Sequence, residues 1–308
     1  MLKRIKDWKN KRIYITETMD LQFLRKQYKG FIHFSFDDVQ ICLHNLNFHK
    51  NEFISIFDDP FLKQLKILHE RYDAKFSLYV YLEDFLKLDN TWRLEFSTNS
   101  SWLKFGLHAR NDIENYDNSG YNEANSDYRL FCEKVLEVCG TPDCLDRIPR
   151  LHNFGASLAA LKGMHDAKWG IYGVLTADDN RNTLYISSEQ QHRLKEVGYY
   201  FEKQNELMFF ATNIRLDWFD KRFKSKYIYN KPCYGKPYYD FIDIWAEHTQ
   251  KEAKYPMIVF THEWKCYSQN NVLLPVVKWV EEICEAALAC NIRFEFPQNL
   301  MERYMLNF

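Results

Sequence analysis

The chain has 308 residues, of which 46% are hydrophobic and 17% aromatic. A chain of this length and composition can bury a sizeable core, and it suits a single α/β domain spanning residues 1–308. The formal net charge is -1, which provides no general attraction for a polyanion and therefore argues against a nucleic-acid partner.

The eight cysteines include no CxxC pair, and several lie in apolar runs. This pattern predicts buried free thiols in a reducing compartment. No apolar signal core or membrane-spanning stretch is visible, so we expect a cytoplasmic protein. Residues 1–14 interleave basic residues with Leu2, Ile5 and Trp8. Two interpretations stay open for them, a solvated terminus and a weak contact with an anionic membrane surface.

Short apolar runs then alternate with amphipathic helices along the chain. Strands are predicted at 31–36, 74–82, 103–107, 147–149, 169–176, 257–260 and 292–296. Helices are predicted from Pro60 to about residue 72 and at 122–138, 155–165, 238–250 and 272–290. Residues 180–237 break the alternation and are predicted to be an insertion with a hairpin formed by 199–201 and 207–211. Strand-helix alternation of this length predicts a parallel sheet covered by helices.

Ionisable residues follow several of the predicted strands at their carboxyl ends. They are Asp37, Asp38, His108, Arg147, Asp178, Asp179 and His262. Ligand sites of α/β barrels and open sheets lie at this end of the strands. Because separate strands deliver these side chains to one rim, we expect them to form one functional site.

Two pairs of residues at these strand ends have a spacing that would suit ion binding. In an extended chain, Asp37 and Asp38 point to opposite sides, so that one could bind a metal while the other holds a proton. His108 and Asp112 are four residues apart, and on a helical turn both could reach one ion. Capping of a turn is the alternative interpretation of both pairs.

The series FSFDDV, HARND, RIPR, an apolar strand ending in DD, and VFTHEW resembles the motif series of polysaccharide deacetylases, the family 4 carbohydrate esterases with a NodB-type homology domain. The resemblance covers about residues 31–296. It implies an α/β fold, a distorted (β/α) barrel of parallel strands, and metal-dependent hydrolysis. It also implies that Asp37 is the general base, Asp38 a metal ligand and His262 the general acid.

The resemblance further implies that His108 is a second metal ligand and that Arg147 orients the base. The family's second motif usually has two histidines four residues apart, and Asp112 stands in the second place here. We therefore predict Asp112 as the third ligand of a divalent ion. The alternative is a third ligand from elsewhere, with Asp179 or Glu263 as the candidates. Zinc is the first expectation, and the additional carboxylate favours harder ions such as Mn, Fe or Co.

Side chains near the same rim are candidates for substrate contact: Arg150, His152, Asn153, Trp169, Asp179 and Trp264. Aromatic faces stack on sugar rings, and Asn and His hydrogen-bond to hydroxyls. Burial at the start of a strand is an alternative for Trp169.

Three functions follow as hypotheses. The first is hydrolysis of an N-acyl group, above all N-acetyl, on a sugar or sugar precursor in cell-envelope or surface-polysaccharide biosynthesis. The second keeps the site but takes a small non-sugar amide or imide. The third is a catalytically weakened carbohydrate-binding protein on the same fold, which would hold metal weakly or not at all.

Overall fold

The computed structural model describes residues 30–177, 180–182, 184–216, 241–242, 256–267 and 275–301. The strands are β1 (Gly30–Val39), β2 (Phe76–Tyr81), β3 (Leu103–Ala109), β4 (Gly173–Thr176), β5 (Tyr199–Glu202), β6 (Leu207–Ala211), β7 (Ile214–Arg215), β8 (Met257–His262) and β9 (Ile292–Phe294). The helices are α1 (Ile41–Phe48), α2 (Pro60–Tyr72), α3 (Leu82–Phe85), α4 (Arg93–Thr98), α5 (Tyr121–Cys139), α6 (Leu158–His165), α7 (Ser188–Val197) and α8 (Pro275–Ala289).

β1 lies at the centre of the larger sheet, in the order β3-β2-β1-β8-β7, and β9 also pairs with β1. All pairs in this sheet are parallel. A second sheet has the order β4-β6-β5, with β4 parallel and β5 antiparallel to β6. The predicted α/β class with a mostly parallel sheet is therefore confirmed.

Residues 145–149 connect the two sheets through backbone hydrogen bonds. The N–H of Asp146 donates to the carbonyl of Phe105 at 2.7 Å, and the N–H of Leu175 donates to the carbonyl of Pro149 at 2.9 Å. On the other side, the chain passes directly from β6 into β7, which pairs with β8. The parallel segments thus form the predicted distorted barrel.

Alternation along β1 separates two environments. Ile32, Phe34 and Phe36 belong to the large hydrophobic cluster shared with the helices. His33 and Ser35 are buried on the other face, inside the barrel, where His33 contacts Tyr79 at 3.1 Å. The inner face of the barrel is therefore partly polar, which is unusual for a core and requires hydrogen-bond partners.

The predicted helix after Pro60 is confirmed as α2. The carboxylate of Asp59 accepts the N–H groups of Phe61 and Leu62, each at 3.0 Å, and so caps the first turn. The helix ends at Asp73, whose φ of 53° lies in the left-handed region. Its apolar side packs into the large cluster through Phe61, Leu62, Leu65 and Leu68.

The predicted hairpin is found as β5 and β6, in which Tyr199 pairs with Phe210 and Glu202 with Leu207. β6 also pairs with β4, so this part of the segment 180–237 contributes to the barrel wall. Residues 217–237, most of the helix predicted at 238–250, and residues 1–14 lie outside the described residues. The insertion and the membrane contact stay predictions.

The cysteines in the described part of the chain are all buried and form no disulfide. None of the described helices is both long and apolar enough to cross a bilayer.

Candidate active site

The acid pair occupies a bulge at the end of β1. Phe36 lies opposite Leu78 and Val39 opposite Val80, so β1 takes three steps where β2 takes two. Asp38 has a φ of 55°, in the left-handed region that Asp tolerates better than most residues. This bulge replaces the simple alternation that we predicted and changes the direction of the Asp38 side chain.

Asp37 is held by a buried arginine. Nη1 of Arg150 donates to Oδ1 of Asp37 at 2.9 Å and to the hydroxyl of Ser35 at 2.8 Å. The Asp37 side chain is 3% exposed and that of Arg150 is 1% exposed. The guanidinium also lies over the ring of Phe260, 3.9 Å from its centroid. The negative charge of Asp37 is therefore neutralised inside the barrel.

Arg147, which we expected beside Asp37, points elsewhere. Its Nε donates to the carbonyl of Gly170 at 2.7 Å, and its Nη1 donates to the hydroxyl of Tyr172. Residues 147 and 150 differ by an odd number, so in an extended segment their side chains leave on opposite faces. The contact predicted for Arg147 is thus made by Arg150, which we had assigned to substrate binding.

Three side chains converge as a candidate metal centre: Asp38, His108 and His152. Oδ1 of Asp38 lies 3.2 Å from Nε2 of His108 and 3.6 Å from Nδ1 of His152. The two histidine nitrogens are 3.3 Å apart. Ligands in a tetrahedral zinc site, each about 2.1 Å from the ion, lie about 3.4 Å from one another. The donor set therefore fits a small divalent ion.

His108 is oriented as a metal ligand. Its Nδ1 lies 2.6 Å from the carbonyl oxygen of Arg150, which can only accept a hydrogen bond. Nδ1 therefore donates, and the lone pair of Nε2 faces Asp38 and His152 in the neutral ring. Burial opposes protonation of His108, but the hydrogen bond that the protonated ring would donate to Asp38 and the nearby charge of Asp37 raise its pKa.

Further donors surround the Asp38 carboxylate. The hydroxyl of Tyr81 donates to Oδ1 at 2.6 Å, and the indole N–H of Trp264 donates to Oδ2 at 3.0 Å. Nε2 of His262 lies 3.8 Å from Oδ2. Burial would raise the pKa of Asp38, but hydrogen bonds with His108 and His152 keep it well below its ordinary value. Asp38 is therefore an anion with a fixed orientation.

Tyr81 was not among the site residues predicted from the sequence, although the alternation of SLYVY in β2 could have indicated that its side chain faces the site. Ser77, Tyr79 and Tyr81 share one face of that strand, and Tyr79 already contacts His33 inside the barrel. Burial, followed by the hydrogen bond with Asp38, raises the pKa of Tyr81. Its hydroxyl therefore stays protonated and can donate.

The helical turn predicted at residues 108–112 is not found. β3 continues through Ala109, and Asp112 lies exposed in the bend that follows. Because the spacing argument required a helix, it does not apply here. The structure brings His152 rather than Asp112 into the group with Asp38 and His108.

The remaining candidates are spread over different places. Trp264, with 41% of its surface exposed, has its ring 5.6 Å from that of His262. Asn153 is exposed, with a φ of 54°, beside His152. Trp169 precedes β4 at the amino end of that strand and packs against the large hydrophobic cluster. Asp179 lies outside the described residues.

No protein-family model matches the chain, and no curated protein matches it. Among solved structures, a 4-α-glucanotransferase from Thermococcus litoralis has a TM-score of 0.55 and 12% identity, over 90% of this chain and 40% of that one. This likeness shows a shared fold.

Two further structures are similar to the chain. A Mycobacterium smegmatis protein assigned to the polysaccharide deacetylases has a TM-score of 0.49 and 9% identity, over 91% of both chains. A T48 deacetylase solved with substrate has a TM-score of 0.43 and 10% identity, over 89% of this chain and 92% of that one. Polysaccharide deacetylases, whose motif series this chain resembles, are thus among the matched structures.

Proposed function

We propose that this chain is a metal-dependent hydrolase of the polysaccharide deacetylase type, which removes an N-acyl group, above all N-acetyl, from a sugar or sugar precursor. The observation that carries the proposal is the convergence of Asp38, His108 and His152 next to the buried Asp37 and the partly exposed His262. A role in cell-envelope biosynthesis would follow from such a substrate.

Asp38, His108 and His152 are the residues that would hold the ion. A divalent ion bound there would supply Lewis acidity to polarise an acyl carbonyl and to lower the pKa of a water. The hydrogen bond from His108 to the carbonyl of Arg150 keeps the Nε2 lone pair directed at the site. Tyr81 donates a hydrogen bond to Oδ1 of Asp38 and Trp264 donates one to Oδ2, so the orientation of this carboxylate is fixed at both oxygens.

Asp37 acts as the general base in this proposal. Nη1 of Arg150 engages Oδ1 of Asp37, which holds the carboxylate in one orientation. Oδ2 is then the oxygen that accepts the proton from the attacking water. Arg150 takes the positioning role that the motif resemblance had suggested for Arg147.

His262 acts as the general acid. It lies directly opposite Asp37 in the parallel ladder between β1 and β8, and paired residues project from the same face of a sheet. The base and the acid therefore flank one reaction centre. Hydrolysis requires both, since the proton that Asp37 accepts from water is balanced by the proton that His262 gives to the leaving amine.

Trp264 supports a carbohydrate substrate. Its exposed ring lies beside His262 at the mouth of the site, and an aromatic face next to the reacting centre suits stacking on a sugar ring. The small-amide alternative does not require this surface, so Trp264→Ala should raise KM for a sugar much more than for a small amide.

The test combines elemental analysis with an acetate-release assay on N-acetylated sugars and nucleotide sugars. We expect about one divalent ion per chain, as a single three-ligand site holds. Asp37→Asn should keep this metal and lose turnover, and His262→Ala should lower turnover roughly 10²–10⁴-fold. His192→Ala, on the exposed face of α7, is the matched control and should change neither quantity.

The outcomes separate the hypotheses. A protein that contains metal and releases acetate only from small amides would replace the sugar substrate with the second class. A protein that purifies without metal, does not take it up, and binds sugars without hydrolysis would be the weakened carbohydrate-binding form. Loss of metal in Asp37→Asn would mean that the roles of Asp37 and Asp38 are reversed.

A further inference from the structure

Glu263 directly follows His262 and is completely buried. Its Oε2 accepts the backbone N–H groups of Gln40 at 2.8 Å and of Ile41 at 2.7 Å. Its Oε1 accepts the N–H of Cys42 at 2.8 Å. Three hydrogen bonds to one carboxylate explain how this acid can be buried with no cationic partner among the described residues.

These N–H groups belong to the beginning of α1. The first N–H groups of a helix have no partner within the helix, and the side chain of Gln40, at the N-cap position, makes no capping hydrogen bond. Glu263 therefore caps α1 from the turn that directly follows β8. A carboxylate at this end also interacts favourably with the helix dipole.

This cap joins the segment that carries Asp37 and Asp38 to the end of the strand that carries His262. α1 starts three residues after Asp38, directly behind the bulge that carries the acid pair. On the other side, Glu263 is bonded covalently to His262, which lies opposite Asp37. One side chain thus ties the end of β8 to the segment that leaves β1.

We propose that Glu263 is a positioning residue that fixes the Asp37–Asp38 bulge relative to His262. This inference rests on the proposed function for the roles of Asp37 and His262. A displacement of about 1 Å between catalytic groups can lower turnover roughly 100-fold without altering substrate contacts. The effect of removing Glu263 should therefore fall on kcat and on the ion site rather than on KM.

Asp59 provides the matched control. It is also a fully buried carboxylate that caps a helix, since it accepts the N–H groups of Phe61 and Leu62 in α2. It also accepts a hydrogen bond from the Asn45 side chain. Its hydrogen bonds are to the first turn of α2 and to Asn45 in the middle of α1, rather than to the N–H groups at the β1–α1 junction. Asp59→Asn should therefore make the same change from carboxylate to amide at a buried helix cap, where one polar atom of the side chain can no longer accept a hydrogen bond, without disturbing the reaction centre.

The experiment compares Glu263→Gln with Asp59→Asn for melting temperature, kcat, KM and Zn²⁺ affinity, the last by competition with a chelating dye. Both variants should have a lower melting temperature. Glu263→Gln should lower kcat about 10- to 100-fold with KM within about twofold of wild type. It should also weaken Zn²⁺ binding roughly 10-fold, because Asp38 lies in the displaced segment. Asp59→Asn should leave kcat and Zn²⁺ affinity within about twofold.

Equal changes in the two variants, or unchanged kcat and Zn²⁺ affinity in Glu263→Gln, would overturn the positioning role. If Glu263→Gln does not fold, Glu263→Asp replaces it, with the same expectations. Amide hydrogen exchange of wild type gives a check that needs no variant, since rapid exchange at residues 40–42 would also overturn the proposal. A wild type without turnover, but with Zn²⁺ affinity that depends on Glu263, would refute the proposed function and leave the positioning role standing.

Discussion

Arg150 and Asp37 form a buried ion pair, with Nη1 and Oδ1 2.9 Å apart. Arg150 Nε and Nη2 have no hydrogen-bond partner among the described residues. The hydrogen-bonding capacity of the Arg150 guanidinium is thus only partly used. If either Arg150 or Asp37 were removed, the other would remain as a buried charge without a partner. Such an arrangement adds little net stability, but it fixes the orientation of the carboxylate.

The first prediction compares the two arginines of the RIPR motif. Arg150→Gln should lower the free energy of unfolding by about 3–5 kcal/mol, because it leaves Asp37 buried and unpaired. It should also lower turnover strongly. Arg147→Gln removes contacts with Gly170 and Tyr172 and should have a much smaller effect on turnover. Urea unfolding and kcat are measured for both variants. A larger loss of kcat in Arg147→Gln would mean that Arg147, and not Arg150, positions Asp37.

The second prediction concerns the third ligand. His152→Ala should lose most of the bound metal, because its Nδ1 is one of the three converging donor atoms. Asp112→Ala should keep about one ion per chain, because Asp112 is exposed beyond the end of β3. Elemental analysis after dialysis against a weak chelator measures both. Equal metal loss in the two variants would return Asp112 to the ligand set.

Much of the fold could be predicted because the apolar pattern was strong. The FIHFSF, FSLYVY and LKFGL runs, for example, are buried strands in a parallel sheet. β4 proved shorter than predicted, and residues 147–149 hydrogen-bond as a connection rather than forming a regular strand. Those differences arise where local propensity competes with barrel closure, which depends on residues distant in sequence.

The site was harder to predict, for reasons that particular residues illustrate. The strand ends correctly indicated Asp38, His108 and His262 as neighbours. The bulge at Asp38 and the turn that contains His152 include left-handed backbone conformations, at Asp38 and Asn153 respectively. No residue spacing indicates such conformations, so His152 could be recognised only as a rim residue.

The third prediction concerns Tyr81, whose hydroxyl donates to Asp38 at 2.6 Å. Tyr81→Phe removes this hydroxyl, which also lies 3.3 Å from Nδ1 of His152, and should weaken metal affinity about 10- to 100-fold, as the loss of a partner that orients a ligand does. Tyr79→Phe is the matched control two residues away, since its hydroxyl contacts Asp146 and His33 rather than Asp38. Competition with a chelating dye measures both affinities. An unchanged affinity in Tyr81→Phe would show that the other hydrogen bonds suffice to orient Asp38.

The fourth prediction is a pH dependence of stability that arises from His33 inside the barrel. Burial lowers the pKa of His33 to about 4. The opposing effect of the Asp146 carboxylate, 3.9 Å from Nε2, does not overcome it. In the unfolded chain an imidazole titrates near 6.5, so the unfolded state binds the proton more readily than the folded state does. The stability that neutral His33 provides is therefore complete above pH 6.5 and decreases as the pH falls toward 4.

Between pH 7.5 and pH 4.5, this difference in pKa should cost wild type about 2.5 kcal/mol of unfolding free energy from His33 alone. His33→Gln keeps a side chain that can donate to the hydroxyl of Tyr79 but cannot titrate. Carboxylates elsewhere also destabilise the protein in acid, but they do so equally in both forms. The difference in unfolding free energy between wild type and His33→Gln should therefore shift by about 2.5 kcal/mol in favour of the variant at pH 4.5. Urea unfolding at both pH values measures this shift, and parallel pH curves for the two proteins would show that His33 does not titrate differently on folding.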